Sequence, residues 1–415
     1  MKKILTALLL LALPTTASAV TLEEAARIAL ENNPGLQNTS RSIELAEKNF
    51  KIAQGSKGLT ITASGSANAA KTERQPDTET VNARLRGSVP LYSGNKLESQ
   101  IESAKVEIDI SKLEYQQAQE DLIYSVAKAY IDALENYENT QVYLQTEQNY
   151  ADHEKNIGAM YDAGSKAKID LLRAQVETSN AQQDTAKSHA AYEVSLTNLA
   201  TLMAIDTIST LSVEHVAPSL EVNEIESYLE QANDNRADLQ ADALRIEQGE
   251  YALEVARSGR RPTLSAEIGA GVGASRESKR LTPDASAGIS ASWNIFDSHV
   301  TENEIKKAEI ELEQIELKMK NDANSVYEEV VTAYKNLKIA LTRLRTTKKA
   351  VELAEEERKI SIERYRAGEG ILLDVLDSEV SLVTAKKNHV SATYDVARYK
   401  FDLSHAVGDT LGALH

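Results

Sequence analysis

The chain of 415 residues has a formal net charge of −17 and contains no cysteine, one tryptophan and three phenylalanines. An acidic balance of this size argues against nucleic-acid binding, which selects basic surfaces. The absence of cysteine excludes disulfides, thiolate metal ligands and thiol nucleophiles. With so few large aromatic residues, the composition favours long, closely packed helices over a compact globular core.

The first 19 residues have the pattern of an export signal. Lys2 and Lys3 begin it, an apolar stretch follows, and Ala17, Ser18 and Ala19 match a small-residue cleavage site. The apolar stretch is too short for a membrane-spanning helix. We therefore expect residues 1–19 to act as a signal peptide and the mature chain to leave the cytoplasm.

The rest of the chain consists of two copies of one structural unit, which we place at residues 20–217 and 218–415. Several residues of the first copy recur in the second at one constant offset. The matching pairs are Tyr130 and Tyr334, Gly164 and Gly368, and Asp170 and Asp374. Because the offset does not change along the chain, these pairs indicate an internal duplication and not chance identity.

Each copy is expected to open with helical structure. Thr21 and Glu24 have the spacing of a capping box, which marks the N-terminus of a helix. A helix over residues 225–258 is its expected counterpart in the second copy.

Four segments alternate apolar and polar residues with a period of two, which predicts β-strands. We place them at about 59–70, 81–91, 263–274 and 285–295. Each segment is long enough for a tilted strand to cross a bilayer. A half-buried soluble hairpin explains any one segment, whereas four such segments in an exported chain favour the wall of a membrane barrel.

Four strands cannot close a barrel with an open lumen, because small barrels need about eight strands. An open sheet edge in lipid would leave backbone groups unpaired, at several kcal/mol each. The strands therefore predict an oligomer, and three copies of the chain would supply twelve strands.

Two proline-free stretches, residues 91–217 and 284–415, have apolar residues at steps of three and four. This pattern predicts long coiled-coil helices, since proline would interrupt them. Gly164 and Gly368 can adopt the left-handed conformation that ends a helix. Each copy should therefore form one helical hairpin that turns at its glycine.

Together, these features resemble the TolC-type outer-membrane channels, the outer membrane efflux protein family. Residues 22–34, residues 89–94 and the two Tyr-x-x-Gly hairpin ends carry the resemblance. It implies a mainly α homotrimer whose twelve-stranded β-barrel in the outer membrane continues into a twelve-helix α-barrel through the periplasm. It also implies a passive exit duct of a tripartite efflux pump or type I secretion system, partnered by a periplasmic adaptor protein and an inner-membrane transporter.

The same resemblance implies roles for particular residues. Asp374 and Asp377 align with carboxylates that ring the narrow periplasmic entrance, and Asp170 and Tyr365 align with a hydrogen-bonded pair that holds it closed. Without the resemblance, the helix N-terminal dipole and a solvated face explain the two entrance aspartates equally well.

The resemblance further places Gly164 and Gly368 at the hairpin tips that meet the adaptor. Gly370 stands where the prototype of the family has a basic latch residue. The residues that could substitute for this latch are Lys166, Lys168 and Arg364.

Other readings of the sequence are weaker. Gly269, Gly271 and Gly273 hint at a dinucleotide loop, but they lie in a predicted strand. The seven histidines are scattered, and Asp374, Asp377 and Glu379 of one chain are too few ligands for a permanent metal site. We find no nucleophile with a base, so we expect neither enzymatic activity nor a cofactor.

One alternative function remains from the sequence: a periplasmic coiled-coil scaffold or chaperone without a membrane barrel. A scaffold of this kind would have no reason to leave the apolar strand faces uncovered. The strands therefore favour the channel.

Overall fold

A computed structural model of the chain describes residues 19–72, 75–208, 211–212, 222–275 and 280–414. The predicted signal peptide, apart from Ala19, and the predicted boundary between the copies at 217–218 lie outside these residues. The described residues form eight α-helices, four strands and a short 3-10 helix, Gly412–Leu414. None of the helices in this part of the chain combines the length and apolarity needed to cross a membrane.

The helices have matching lengths in the two copies. In the first copy they are α1 (Leu22–Asn32), α2 (Pro34–Gly55), α3 (Lys96–Asp162) and α4 (Lys168–Met203). In the second copy they are α5 (Ile225–Asn235), α6 (Ala237–Ser258), α7 (Val300–Ala367) and α8 (Leu372–Ala406). The two longest, α3 and α7, have 67 and 68 residues, so the duplication seen in the sequence extends to the helices.

The expected single helix over residues 225–258 is wrong, because the chain forms α5 and α6 with a break at Arg236. The backbone of Arg236 is extended, and its Nε donates to Asp238 Oδ1 at 2.9 Å. A similar break separates α1 from α2, where Asn33 Oδ1 accepts the N–H of Gly35 at 2.8 Å. At Asn33 the side-chain oxygen thus accepts a free N–H at the start of α2, whereas α6 starts at Arg236 without such a cap.

The strands form one antiparallel sheet in the order β1-β2-β3-β4. They are β1 (Thr60–Thr72), β2 (Gln75–Tyr92), β3 (Thr263–Ser275) and β4 (Thr282–Ser292). The central pair, β2 and β3, joins the first copy to the second, and β1 and β4 lie at the edges.

The sheet has one apolar and one polar face, as the period of two predicts. The large apolar residues of the strands are exposed along the apolar face: Ile61, Val81, Leu85, Ile268, Val272 and Ile289. None of the elements that the structure describes covers this row of side chains, so the sheet retains a hydrophobic surface.

Several strand boundaries differ from those expected, and β4 also begins earlier, at Thr282 and not at residue 285. β2 begins at Gln75 and not near residue 81, because the chain before Val81 pairs with β1 although it lacks large apolar residues. β4 ends at Ser292 and not at residue 295. Its last partner is Thr263, which follows Pro262, a residue without an N–H to continue the ladder.

The chain divides into two compact units, and each draws on both copies. The first comprises Met1–Gln37, Ala118–Asn235 and Val326–His415, and the second comprises Asn38–Gln117 and Arg236–Ser325.

A core of the first unit packs small residues such as Ala25 and Ala29 around Tyr130, which is 2% exposed. The Tyr130 hydroxyl is the donor to two backbone carbonyl oxygens. It lies 3.0 Å from the Val20 oxygen and 2.7 Å from the Ser212 oxygen. The second unit contains the sheet and a small core around Leu253, Ile305 and Ala308.

Candidate functional site

The two helical hairpins turn at the glycines that the sequence singles out. Gly164 follows α3 with a φ of +76°, and Gly368 follows α7 with a φ of +81°. The N–H of Ser165 donates to the Met160 carbonyl oxygen at 2.9 Å, which closes the end of α3. This left-handed backbone with a long return hydrogen bond is the glycine helix stop that the pattern predicts.

The two turns share a further property, which is open space. A Cβ added at Gly164 or Gly368 would meet nothing within 4 Å. Conformation and not crowding therefore explains the glycine at both positions.

Asp374 and Asp377 both lie exposed on the first turns of α8, just after the Gly368 turn. Asp374 Oδ2 accepts the N–H of Ile371 at 3.5 Å, a long contact at the start of the helix. The structure therefore leaves both carboxylates available to solvent. Glu379, the third acidic residue of this segment, is buried.

Glu379 is only 4% exposed and joins three helices. Its Oε1 accepts Asn149 Nδ2 of α3 at 2.8 Å, and its Oε2 is paired with Arg358 Nε of α7. A buried carboxylate is stable only when it is paired and hydrogen-bonded, and here it has both kinds of partner. We call Glu379, Arg358 and Asn149 the buried tie.

The buried tie borders a cavity of about 1020 Å³ in the first unit. His153 and Tyr365 line it, with ring centroids 5.8 Å apart. Burial lowers the pKa of His153, whose Nε2 has no hydrogen-bond partner. Burial, followed by the negative charge of Glu379, raises the pKa of Tyr150 to about 12. Both residues are therefore uncharged at neutral pH.

The structure does not form the expected hydrogen bond between Asp170 and Tyr365. Tyr365 is 6% exposed and packs its ring among Ile157, Leu372 and Val375, and its hydroxyl has no partner. Asp170 lies on the partly exposed first turn of α4. Tyr365 is therefore held through its ring by this apolar core and not through a hydrogen bond of its hydroxyl.

A lysine contacts Tyr365 instead. Lys166 Nζ lies 4.0 Å from the centroid of the Tyr365 ring, which is the distance of a cation–π interaction. Of the three basic residues considered as substitutes for the missing latch, Lys166 is the one whose contact with Tyr365 the structure shows. Arg364 instead contacts the Glu369 carbonyl oxygen, at 3.4 Å.

Gly370 has a steric reason to lack a side chain. A Cβ at this position would lie 3.2 Å from the Tyr365 backbone N and 3.3 Å from Arg364 Cβ. The turn between α7 and α8 therefore leaves little room for a basic latch residue at position 370.

The described residues contain no group of three or more histidine, aspartate or glutamate side chains that could hold a metal ion. Within one chain, the Glu379 carboxylate contacts Asn149 and Arg358. Arg358 and Asn149 have no signal in the sequence, because they lie on different helices from Glu379 and no local spacing connects them to it.

The fold is that of outer-membrane channels. The outer-membrane channel OprN superimposes with a TM-score of 0.81 at 19% identity, covering 94% of this chain and 90% of that one. The CmeC outer membrane channel of Campylobacter jejuni gives a TM-score of 0.79 at 18% identity, with 94% and 86% covered. The fold class predicted from the sequence, a mainly helical chain with membrane strands and two helical hairpins, is confirmed.

The chain belongs to the outer membrane efflux protein family, whose model matches residues 25–204 and 228–409. The outer membrane protein TolC of Vibrio cholerae is 23% identical over 424 residues, which cover 98% of this chain and 96% of that relative. The outer membrane efflux protein BepC of Brucella suis is 20% identical, with 92% and 83% covered. The protein is thus an outer-membrane exit duct for efflux with a periplasmic extension, and the scaffold alternative is not favoured.

Proposed function

We propose that three copies of the chain join their sheets into one twelve-stranded barrel and act as the passive exit duct of a tripartite efflux pump. The carrying observation is the four-stranded sheet, whose apolar face is uncovered and whose edge strands β1 and β4 have no outer partner among the described residues. Neighbouring copies would pair these edges, which lipid cannot do. A periplasmic adaptor protein and an inner-membrane transporter complete the pump, and the duct itself performs no catalysis.

We expect the protein, extracted from the outer-membrane fraction, to be a homotrimer in detergent and to form channels in planar bilayers. The physical reason is that a lone sheet would expose two rows of unpaired backbone groups to lipid. Native mass measurement and single-channel recording test this. A folded monomer in detergent, or recovery in the soluble periplasmic fraction, contradicts the proposal.

We further propose that the periplasmic entrance is formed by the hairpin ends. Asp374 and Asp377, exposed at the start of α8, would ring the opening with six carboxylates in a trimer. The buried tie lies a short distance along α8, where it joins that helix to α3 and α7. We assign to it, together with Lys166 on Tyr365, the role of holding α8 in the closed arrangement.

The glycine turns are the proposed contact with the adaptor. Replacing Gly164 or Gly368 by valine should abolish efflux of a fluorescent substrate from cells that lack their own copy, while trimers remain in the outer membrane. A β-branched residue in the left-handed region costs about 1–2 kcal/mol, which would reshape the turn without a steric clash.

Gly55 supplies the matched control for these variants. It ends α2, also has open space around its Cβ position, and does not have a positive φ. Gly55→Val should therefore leave efflux unchanged, because valine at this position needs no left-handed backbone. Normal efflux in both valine variants would show that the turns are not the docking surface.

A further inference from the structure

One row of residues on the polar face of the sheet contains an ion pair that bridges a strand. Ser64, Arg84, Gly271 and Asp284 lie opposite one another on β1, β2, β3 and β4. Arg84 Nη2 lies 2.5 Å from Asp284 Oδ2, although β3 runs between their two strands. Because neighbouring strands are about 4.8 Å apart, the pair connects backbones that are roughly 10 Å apart.

Glycine at position 271 makes this contact possible. A Cβ on Gly271 would lie 2.8 Å from Asp284 Oδ1 and 3.3 Å from Arg84 Nε, so any side chain there would push the pair apart. Gly269 and Gly273 flank it on the same face, and their Cβ positions are equally tight against Ser286 and Asn82. The three glycines that hint at a dinucleotide loop instead leave space on β3. Side chains of β2 and β4 occupy this space.

Among the described residues that pair in the four strands, the charges on this face balance. These residues include two arginines, Arg84 and Arg86, and two carboxylates, Glu267 and Asp284. The side chains of Arg84 and Asp284 are 45% and 48% exposed, so solvent and passing ions reach both. Removing either member of the pair would leave one uncompensated charge per chain.

We propose that the Arg84–Asp284 pair keeps the lumen of the membrane-spanning part of the duct electrically balanced. This part of the duct then selects neither cations nor anions. This inference rests on the proposed trimer, in which the polar face of each sheet lines the lumen and the pair occurs three times. Within low-dielectric walls, a ring of three unpaired charges would concentrate counter-ions. Because Arg84 and Asp284 compensate each other, charge selection is left to the periplasmic entrance.

The test uses the full-length trimer in planar bilayers under a potassium chloride gradient. Asp284→Asn should raise the ratio of chloride to potassium permeability by roughly twofold or more, because three arginines lose their partners. Arg84→Gln should lower the ratio by a similar factor, and the double variant should return to the wild-type value. Either single variant alone decides the outcome if the other does not assemble.

Heating of the trimer in detergent tests the pairing itself. Arg84→Gln and Asp284→Asn should each lower the midpoint temperature of trimer dissociation. The double variant should lower it no further than the more damaging single variant.

Glu267→Gln is the matched control, since it removes a carboxylate of the same face that is not paired with Arg84. Its effect should add to that of Arg84→Gln. Gly271→Ala should lower the midpoint as well, whereas Gly288→Ala, with nothing within 4 Å of its Cβ position, should not.

The two failures can be told apart. A wild-type protein without channel conductance contradicts the proposed function. A conducting wild type with unchanged permeability ratios in both single variants, or additive effects of Arg84→Gln and Asp284→Asn on the dissociation midpoint, overturns only the assignment of the pair.

Discussion

Replacing Glu379 by leucine should raise the resting conductance of the purified trimer, because it breaks the buried tie between α3, α7 and α8. The substitution leaves the guanidinium of Arg358, whose side chain is 26% exposed, without its carboxylate. Removing one partner of a largely buried ion pair destabilises the arrangement by about 3 kcal/mol. If the tie forms only in the closed state, the open probability rises by a factor on the order of 100, since each 1.4 kcal/mol is tenfold. Single-channel recording in planar bilayers measures it.

Two further variants separate the tie from a general loss of packing. With both charges replaced, as in Arg358→Leu with Glu379→Leu, no unpaired charge remains, so conductance should fall back toward the wild-type level. Glu357→Gln, an exposed glutamate beside Arg358 on α7, should leave conductance unchanged. A closed channel in the Glu379→Leu trimer would show that the tie does not hold the entrance.

Replacing both Asp374 and Asp377 by asparagine should remove the cation preference of the channel. In the proposed ring, six carboxylates around a narrow opening would attract cations and bind multivalent ions. Asparagine has nearly the same size as aspartate without the charge. Block by a trivalent cation should weaken on the order of tenfold or more, because the attraction scales with the charge of the ion. Reversal potentials and block titrations on reconstituted trimers measure both effects.

Glu369 provides the control for the aspartate variant. It is an exposed carboxylate in the turn just before α8 and lies outside the proposed ring. Glu369→Gln should keep the cation preference. Unchanged selectivity in the double aspartate variant, with trimers intact, would remove the ring from the proposal.

The features that the sequence predicts well are those with a local physical signal. Gly164 and Gly368 end long apolar-periodic stretches, and both have the left-handed backbone that this position requires. The period of two finds all four strands, although it misplaces the end of β4, where the alternation continues through Ile295 after the pairing has stopped. The missed break at Arg236 consists of one residue with an extended backbone, which helix periodicity does not register.

The contacts that the sequence does not predict join distant parts of the chain. Arg84 and Asp284 are 200 positions apart, and Asn149 and Glu379 are 230 positions apart. Each residue alone has the pattern of a solvated charge or a neutral helix surface. Only the packing of helices or the register of strands brings the partners together, so no local spacing could have indicated the pair or the buried tie.

The strand order has a consequence for how the protein folds. The central ladder between β2 and β3 pairs residues from opposite halves of the chain, such as Arg84 with Gly271. Closing so long a loop must precede any gain from the ladder, and folding rates fall as contacting residues become more distant in sequence. The hairpin β1–β2 can form early, but it lacks its inner neighbour until the second copy has been synthesised and exported. Completion of the sheet is therefore expected to be a late and slow step, with the first copy held in a partly folded state until then.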